Sequence, residues 1–417
     1  MKIICFIFAM IMNVEYYIAK RLVTANKTNN RYTRPILNIA ILAVSISIAV
    51  MLLSVFVVTG FKDTISNKVT GFEGDIIISN FSLNESYKSD PIKINPAFFQ
   101  ELKEDTDISF FSVFANKAGI IKTKDEIEGV LLKGVDKEYN WSFIKNHLSE
   151  GNVPLFSDTL SNKIVISEEL SRSLQLKIGD YVFIYFIQDP PRVRKFNISA
   201  IYNTSLSDFD NLFVFVDINH IRSLNNWQED EVGGVEIFAK NFDDLKKVNE
   251  RLYNQIDYDL DAISIKDKYS QIFDWLDLQD VNVKVIIILM LIVGGINITT
   301  ALLILILERI NLIGVLKSIG STDWTIRRIF LYNAMYITLK GLMFGNLFAI
   351  LLALLQKQFK IISLDPQTYY MNTVPVNIDI FNIIILNLGV LILCYLILII
   401  PSFVITRISP IKAIRFQ

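Results

Sequence analysis

The sequence predicts an α-helical membrane protein with four transmembrane helices, one N-terminal and three C-terminal, and a large extracytoplasmic α+β domain. Three observations predict this class. The 417-residue chain is 52% hydrophobic and has a mean hydropathy of +0.40. Its apolar residues are concentrated in four long segments. Short strand-like and helical segments fill residues 61–280, between the first apolar segment and the second.

Four apolar segments predict transmembrane helices at residues 35–60, 281–307, 329–356 and 380–405. Each is longer than the roughly 20 residues that a helix needs to cross a hydrocarbon core about 30 Å thick. Four buried helices of a soluble protein are the alternative, but such helices carry a polar stripe that these segments lack. The third segment contains one cation, Lys340.

The distribution of charge predicts the orientation. All but five of the 42 acidic residues lie within residues 61–280, whereas the segments before the first span, between the second and third spans, and after the fourth span carry an excess of lysine and arginine. Since cytoplasmic segments carry an excess of lysine and arginine, we expect both termini, residues 308–328 and the 406–417 tail on the cytoplasmic side. Residues 61–280 and the short 357–379 loop then lie outside. The basic residues are Lys20, Arg21, Lys27, Arg31 and Arg34 before the first span, Arg309, Lys317, Arg327 and Arg328 between the second and third, and Arg407, Lys412 and Arg415 after the fourth.

Residues 12–34 alternate apolar and basic positions at helical spacing. This pattern predicts a cytoplasmic amphipathic helix in the membrane interface, and a frayed tail is the alternative. The apolar run before Met12 is too short to span a membrane and lacks a small-residue cleavage site. Initiation at Met12 and a true N-terminal extension both fit the sequence.

The 61–280 domain is predicted to be α+β because short β-branched and aromatic runs alternate with helical segments. Helices are expected at 167–175, with Ser167 as the N-cap, and at 241–256. Further strands are expected to form a pair that turns at Lys122–Asp125. The other predicted strands are 74–80, 163–167, 180–187, 194–202, 212–216 and 233–240.

Two interleaved stretches predict two lobes in this domain, one from residues 61–140 with 205–280 and one from residues 141–204. Both cysteines of the chain, Cys5 and Cys394, lie outside the domain, so we expect it to fold without a disulfide.

Residues suited to enzyme chemistry are scarce. The two histidines, His147 and His220, have no neighbour at metal-ligand spacing, and we expect them to be surface or loop residues. The glycines at 314 and 320 do not form a GxxxxGK[ST] phosphate loop, and no serine lies in a GxSxG elbow. The sequence therefore predicts a protein that is not an enzyme, with no catalytic, cofactor-binding or metal-binding residues and no nucleic-acid partner.

A short basic helix is predicted between the second and third spans, within "ERINLIGVLKSIGSTDWTIRR". Leu312, Ile313, Leu316 and Ile319 recur at helical spacing, and Lys317 is predicted on the other side. Gly314 leaves one face of this helix without a side chain. Gly320 is suited to end the helix in a left-handed conformation, and Thr322 or Asp323 is suited to cap the next helix. A helix joined directly to two spans would act as a lever, and a plain connecting helix is the alternative.

Small and polar residues within the spans predict close helix packing. Ala43 and Ser47 share one face of the first span, and Gly294 and Gly295 lie near Asn297 in the second. Lys340 is expected either to face a protein interior or watery cavity, or to reach toward a headgroup.

Four stretches resemble one family. "ERINLIGVLKSIGSTDWTIRRIFLYNA" resembles the E-R-x-x-x-I-x-x-L-[KR]-x-x-G-[AS] stretch of FtsX-like ABC permeases, which include MacB and the lipoprotein-releasing permeases. "DPQTYYMNTVPV" is similar to a signature of the LolC/LolE branch between the last two spans. "VISEELSRSLQLKIGDYVFI" resembles the MacB-type core of the exported domain, and "SPIKAIRFQ" resembles the family's P-x-x-[AL]-[LI]-R ending.

This resemblance implies a permease subunit of the bacterial inner (cytoplasmic) membrane that dimerises with a second copy or a paralogue. It implies that a separate LolD-type cytoplasmic ATPase binds the ATP and Mg²⁺ and receives the short helix in a groove. It also implies mechanotransmission, in which lipoproteins are extracted from the membrane and passed to a LolA-type periplasmic carrier. It further implies that lipid chains enter between the two first spans of the dimer, here the helix of residues 35–60.

The resemblance also assigns residues. The coupling set is Glu308, Arg309, Ile313, Gly314, Leu316, Lys317, Ile319 and Gly320, and the loop signature is Asp365, Pro366, Tyr369, Tyr370 and Pro375. The small and polar residues within the spans, and not the resemblance, assign helix packing or lipid entry to Ala43, Ser47, Gly294, Gly295, Asn297 and Lys340, and Lys340 departs from the family, in which this span is usually apolar.

Three other functions are compatible with parts of the pattern. An FtsX-type regulator of cell-wall hydrolases would have a much shorter exported domain. A MacB-like efflux or signalling permease commonly carries an ATPase in the same chain and lacks the loop signature. A membrane-anchored scaffold without an ATPase would leave the short helix unexplained.

Overall fold

A computed structural model describes residues 14–24, 33–81, 90–93, 95–123, 126–157 and 159–407. The chain divides into two compact units. The first unit comprises Met1–Phe61, Asp277–Ile361 and Pro375–Gln417, and the second comprises Lys62–Leu276 and Ile362–Val374. The residues around Met12, the terminal "SPIKAIRFQ" and several predicted basic positions lie outside the described residues.

The helices and strands follow one another along the chain. The α-helices are α1 (Val14–Thr24), α2 (Thr33–Glu73), α3 (Pro96–Glu104), α4 (Ser142–Asn146), α5 (Glu168–Ser173), α6 (Ser207–Asp210), α7 (Ile218–Asn225), α8 (Leu245–Tyr253), α9 (Ile265–Lys268), α10 (Ser270–Glu308), α11 (Ile310–Ser318), α12 (Asp323–Phe359), α13 (Pro366–Tyr369) and α14 (Ile380–Ser402). Two 3₁₀ turns are Phe242–Asp244 and Phe403–Arg407. The strands are β1 (Ile76–Asn80), β2 (Ile92–Lys93), β3 (Ile108–Lys122), β4 (Ile127–Val135), β5 (Leu148–Gly151), β6 (Lys163–Ser167), β7 (Tyr181–Phe186), β8 (Arg192–Tyr202), β9 (Phe213–Asp217), β10 (Glu231–Val232), β11 (Gly234–Ala239) and β12 (Leu260–Ser264).

Four helical segments among the described residues are long and apolar enough to cross a membrane: Leu37–Glu73, Ser270–Glu308, Asp323–Phe359 and Ile380–Thr406. The prediction of a four-helix membrane protein with an α+β domain is confirmed. The first two helices extend beyond the predicted spans, because no proline interrupts residues 61–73 or 270–280.

Glycines on α12 allow it to approach α2 closely. A Cβ added at Gly341 would lie 2.5 Å from Val44 Cγ1, and one at Gly345 would lie 2.7 Å from the Ser45 carbonyl oxygen. These two glycines form a GxxxG pattern, which lets helix backbones come together in lipid. This glycine pair was not among the predicted packing residues.

A pair of asparagines joins α12 to α14. The Asn346 side-chain amide donates to Asn387 Oδ1 at 2.8 Å, and the Asn387 amide donates to Asn346 Oδ1 at 2.9 Å. Both amides lie on apolar helices, where side-chain hydrogen bonds hold neighbouring spans together. Neither residue was predicted to have a role.

The second unit is built on a ten-stranded mixed sheet with the strand order β12-β1-β11-β3-β4-β9-β6-β8-β5, and β7 pairs with β3 and β8. The pairs β4–β9 and β6–β8 are parallel. All six separately predicted strands are present, with bounds shifted by at most two residues. The expected hairpin of β3 and β4 is also present, although residues 124–125 of its turn lie outside the described part.

The prediction of two lobes is wrong. The strands from residues 141–204 do occupy one end of the sheet order, but β6 pairs with β9 and β7 pairs with β3. These cross-pairings extend one hydrogen-bonded sheet through both stretches, so the domain is a single compact unit. Ser167 caps α5 as predicted, since its side chain accepts a hydrogen bond from the Leu170 amide.

We predict that Gly345→Val destabilises the packing of α2 and α12. The new side chain would meet Ser45 backbone and Ile48, so the helices would have to separate at a cost of about 1–3 kcal/mol. Thermal unfolding of the full chain in nanodiscs measures the effect. The matched control is Gly389→Val on α14, where an added Cβ meets nothing within 4 Å. Equal melting temperatures for both variants would contradict the prediction.

Candidate functional site

The short helix between the second and third long helices is present as α11, Ile310–Ser318. Gly320 follows it with a φ of +94°, and Thr322 caps α12 by accepting a hydrogen bond from the Thr325 amide. Both conformational predictions are confirmed. Positive φ costs glycine little, so Gly320 lets the chain reverse sharply between two helices.

One face of α11 is buried within the first unit. Ile313 and Gly314 are buried, and Leu316 packs against the same apolar core. The opposite face is open: Val315 is 48% exposed and Ile319 is 77% exposed. The helix and its C-cap therefore present two apolar side chains, Val315 and Ile319, next to the polar Asn311. We call these three residues the α11 open face.

Lys317 does not lie where the sequence analysis placed it. Its side chain is only 12% exposed, its ammonium group donates to the Ile405 carbonyl oxygen at 3.0 Å, and it pairs with Asp323 at 2.9 Å. Residues four apart share a helix face, so Lys317 lies beside Ile313. Ile319 was predicted on the apolar face, but it lies four residues after the exposed Val315 and is exposed with it.

Lys317 thus fastens α11 to the turn that follows α14. Arg327 contacts that turn as well, with its guanidinium 3.8 Å from the centre of the Phe403 ring. Of the other predicted coupling residues, Glu308 is exposed at the end of α10 and Arg309 occupies the N-cap position of α11. The structure brings these residues together in one segment.

The loop signature forms a small hairpin in the second unit. Asp365 caps α13 through the Gln367 amide, and Pro366 is the first residue of that helix. Tyr370 ends α13 with a φ of +58°, while Tyr369 is 40% exposed. A bridge between Ser363 and Thr373 closes the hairpin.

Three polar contacts attach this hairpin to the rest of the second unit. Lys68 of α2 donates to the Tyr370 carbonyl oxygen at 2.8 Å. The Asn372 amide donates to the Ser205 hydroxyl at 2.7 Å. Burial raises the pKa of the Tyr370 hydroxyl, and the Asp208 carboxylate, to which it donates a hydrogen bond, raises this pKa further. Residues 362–374, within the short 357–379 loop predicted between the last two spans, therefore belong to the compact α+β unit.

Pro375 belongs to the first unit. Its carbonyl group lies 2.9 Å from where a Cβ would stand at Gly60. Two residues later along the chain, the Asn377 amide donates a hydrogen bond to the Phe56 carbonyl oxygen at 3.0 Å. Gly60 is needed here because any side chain would collide with this segment.

The predicted packing residues have different surroundings. Ser47 is buried, and its side chain lies 3.8 Å from where a Cβ at Gly294 would stand, while Gly295 faces Ile397. Ala43 is half-buried and accepts a hydrogen bond from Ser47 at 3.1 Å. Lys340 is half-buried with its ammonium 4.6 Å from the Tyr336 ring centre, and Asn297 is half-buried on α10.

The histidines are less exposed than predicted. His220 is 1% exposed on α7 with Nε2 3.0 Å from the Ser161 carbonyl oxygen, so its predicted surface position is wrong. His147 contacts the Phe143 carbonyl oxygen at 2.9 Å. Burial lowers the pKa of both imidazoles.

Two protein-family models match this chain. The MacB-like periplasmic core domain matches residues 38–254, just over half of the chain, and the FtsX-like permease C-terminal matches residues 284–410. The chain belongs to the FtsX-like permeases with a MacB-type core. It is therefore the membrane-embedded permease component of an ABC transporter, and the predicted resemblance is confirmed.

Individual relatives cover most of the chain. The lipoprotein-releasing system transmembrane protein LolC of Buchnera aphidicola subsp. Schizaphis graminum (strain Sg) is 23% identical over 402 residues, covering 91% of this chain and 93% of that one. LolE of Haemophilus influenzae (strain ATCC 51907 / DSM 11121 / KW20 / Rd) is 21% identical, covering 82% and 83%. The periplasmic region of MacB from Actinobacillus actinomycetemcomitans superposes with a TM-score of 0.34 at 13% identity, covering 51% and 98%.

We predict that Lys68→Met loosens the loop hairpin of this FtsX-like permease. A hydrogen bond from a charged donor contributes about 1.5–3 kcal/mol, so local opening should become roughly 10–100-fold more frequent. Hydrogen–deuterium exchange of residues 362–374 measures this opening in the full chain. Lys145→Met, at an exposed site of the same unit, is the control. Unchanged exchange in the Lys68 variant would show that this contact does not hold the hairpin.

We predict that Asp210→Asn becomes progressively more stable than the native chain as pH rises from 4 to 7. Burial raises the pKa of Asp210 from 3.8 to about 6, against the hydrogen bonds from Thr204. A carboxyl with a raised folded pKa stabilises the fold fully below about pH 4 and loses that contribution as pH rises through about 6, here at most about 3 kcal/mol. Thermal unfolding followed by tryptophan fluorescence measures it. Asp230→Asn, at an exposed site, is the control, and a pH-independent difference would contradict the assignment.

Proposed function

We propose that this permease works with a separate cytoplasmic ATPase to extract lipoproteins from the inner membrane and pass them to a periplasmic carrier. The observation that carries the proposal is the similarity to LolC and LolE relatives, named for lipoprotein release, along nearly the whole of both chains. The loop signature that the sequence shares with that branch supports it too. ATP and Mg²⁺ belong to the partner ATPase in this scheme.

The α11 open face is the proposed docking surface for a LolD-type ATPase. Val315 and Ile319 are apolar side chains exposed on a helix whose other face is buried, and an amphipathic helix seated in a groove is a recurring recognition mode. Lys317 then acts as a brace and not as a contact residue, because its ammonium is already held by Ile405 and Asp323.

The proposed topology places both termini and α11 in the cytoplasm and the α+β domain in the periplasm. The basic residues that flank the spans support this orientation. α1 supports the interfacial assignment of the N-terminal segment: Tyr16 and Tyr17 are exposed, and Glu15 lies 3.6 Å from Arg328 of α12.

The proposed substrate is a lipid-anchored protein held in one leaflet. Each acyl CH₂ drawn from the membrane costs about 0.8 kcal/mol, so extraction needs an energy source. In this scheme lipid chains enter beside the first span, whose exposed apolar side chains include Ile39, Leu42 and Ile46. A dimer with a second copy or a paralogue, and a LolA-type carrier, complete the proposed assembly.

A MacB-like efflux or signalling permease is the second candidate, because the MacB-like core domain match covers 38–254. An FtsX-type regulator of wall hydrolases remains the third. The loop signature and the LolC and LolE relatives favour lipoprotein release over both.

Release from proteoliposomes tests the function. We predict that the chain, its ATPase and a periplasmic carrier transfer a fluorescent triacylated lipopeptide to the carrier only when ATP is present. Omission of the carrier and replacement of ATP by a non-hydrolysable analogue are the controls. ATP hydrolysis without lipopeptide transfer would favour the efflux or signalling alternative.

A second prediction concerns the α11 open face. Val315→Glu should abolish ATPase binding, since it places a charge at the centre of an apolar contact. Pull-down of the ATPase by the reconstituted permease measures binding. Lys145→Glu, outside this segment, controls for the added charge. Normal ATPase binding by a membrane-inserted Val315→Glu variant would move the docking surface elsewhere.

A further inference from the structure

The last turn of α2 ends in a buried cluster of charged side chains to which the proposed function gives no role. Glu73 closes the helix, Lys133 lies on β4 and Glu236 lies on β11. None of the three is more than 5% exposed. All three belong to the second unit, where charged groups are otherwise mostly at the surface.

Lys133 binds the C-terminal end of α2. Its ammonium donates to the Phe72 carbonyl oxygen and to Glu236 Oε1. Aromatic rings enclose it, with the Tyr139 ring centre 5.6 Å away. The end of a helix carries partial negative charge on its free carbonyl groups, so a buried cation is well matched to this position.

Glu73 connects the same helix end to the start of α10. Its Oε2 accepts a hydrogen bond from the Tyr269 hydroxyl at 2.9 Å and pairs with the Lys268 ammonium at 2.6 Å. Ser270, which directly follows Tyr269, is the first residue of α10. The end of the first long helix and the beginning of the second are therefore tied to one cluster.

Packing fixes the position of this helix end. The Phe72 ring contacts five aromatic rings, including Phe143 at 5.2 Å and Phe213 at 5.5 Å between centroids. Gly74 then turns the chain with a φ of +77°, and its missing Cβ leaves room for Glu236. β1 starts two residues later and pairs with β11 and β12.

Stability alone does not account for the charges. Apolar residues of similar volume often replace a buried ion pair without loss of stability, because both ions must be desolvated. Glu236 adds to that cost, since its Oε2 is buried and has no hydrogen-bond partner among the described residues. Burial raises the pKa of this carboxyl, and the Lys133 ammonium opposes the rise.

We propose that this cluster is the junction through which movement of α2 and α10 is passed to the sheet, with Lys133 and Glu236 as positioning residues. A directed ion pair and hydrogen bonds hold the helix end at one place and angle, whereas an apolar contact lets it slide or rotate. The inference rests on the proposed function only for the source of movement, which is nucleotide binding by a partner ATPase.

The test replaces the ion pair with apolar residues in the full chain. Lys133→Met with Glu236→Leu is reconstituted with the ATPase, in a background with Cys5→Ser and Cys394→Ala. An environment-sensitive fluorophore on a cysteine at exposed Gln228 reports movement of the α+β domain when ATP is added. We expect the native pair to give an ATP-dependent signal and the double variant to lose it while ATP hydrolysis continues.

Two further variants keep the test decisive. Lys268→Gln with Tyr269→Phe removes the ammonium and the hydroxyl that bind Glu73 and leaves the Lys133–Glu236 pair in place. Its signal should fall as well, and this variant decides the test if the first one does not fold. Arg251→Met with Asp105→Leu removes another ion pair of the same unit, 2.6 Å long, and should keep the signal. A native-size signal in both junction variants, or no signal in the native chain, would overturn the proposal. Lipopeptide release by the native chain is scored separately and decides the proposed function alone.

Discussion

The capture of the last turn of α2 by the sheet is the interaction on which the other features of this permease depend. α2 is 41 residues long, about 60 Å at 1.5 Å per residue, and its last residues enter the core of the α+β unit. Phe72 fills an aromatic pocket and the Phe72 carbonyl binds the Lys133 ammonium. Because β1 follows almost immediately, the position of this turn also sets the register of β1 between β11 and β12.

The same helix is where the loop between the last two spans attaches. Lys68 holds the hairpin that contains Tyr370, and Phe56 accepts the hydrogen bond from Asn377. At the other end of the second and third long helices, Lys317 and Arg327 fasten α11 and α12 to the turn after α14. In the proposed cycle, a partner that pushes α11 therefore acts on a braced segment and not on a flexible connection.

Local patterns predicted most of the fold. Apolar length predicted the four spans, short β-branched and aromatic runs predicted β6 and its neighbours, and the capping chemistry of Ser167 and Thr322 was correct. Helical spacing alone places Lys317 on the same face as the buried Ile313, four residues earlier. It was predicted on the other side because a lysine side chain usually faces water. Its partners, Ile405 and Asp323, lie outside α11, so the helix pattern alone does not reveal them.

What the sequence did not predict depends on contacts between distant segments. Lys133 and Glu236 are 103 residues apart, and each looks like an ordinary charged residue on a strand. The strand pairing that joins both predicted lobes into one sheet is also between distant segments, and for this reason the two-lobe prediction was wrong. Gly345, by contrast, could have been found, because its spacing from Gly341 is a known packing pattern within one span.

Hydrogen–deuterium exchange of the full chain in nanodiscs tests the capture of the α2 end most directly. We predict that the amides of residues 66–73 exchange as slowly as those of β4 and β11, with and without ATP bound to the partner. Exchange as fast as that of the exposed turns of α8 would mean that the helix end opens freely, and it would contradict the central role given to this interaction.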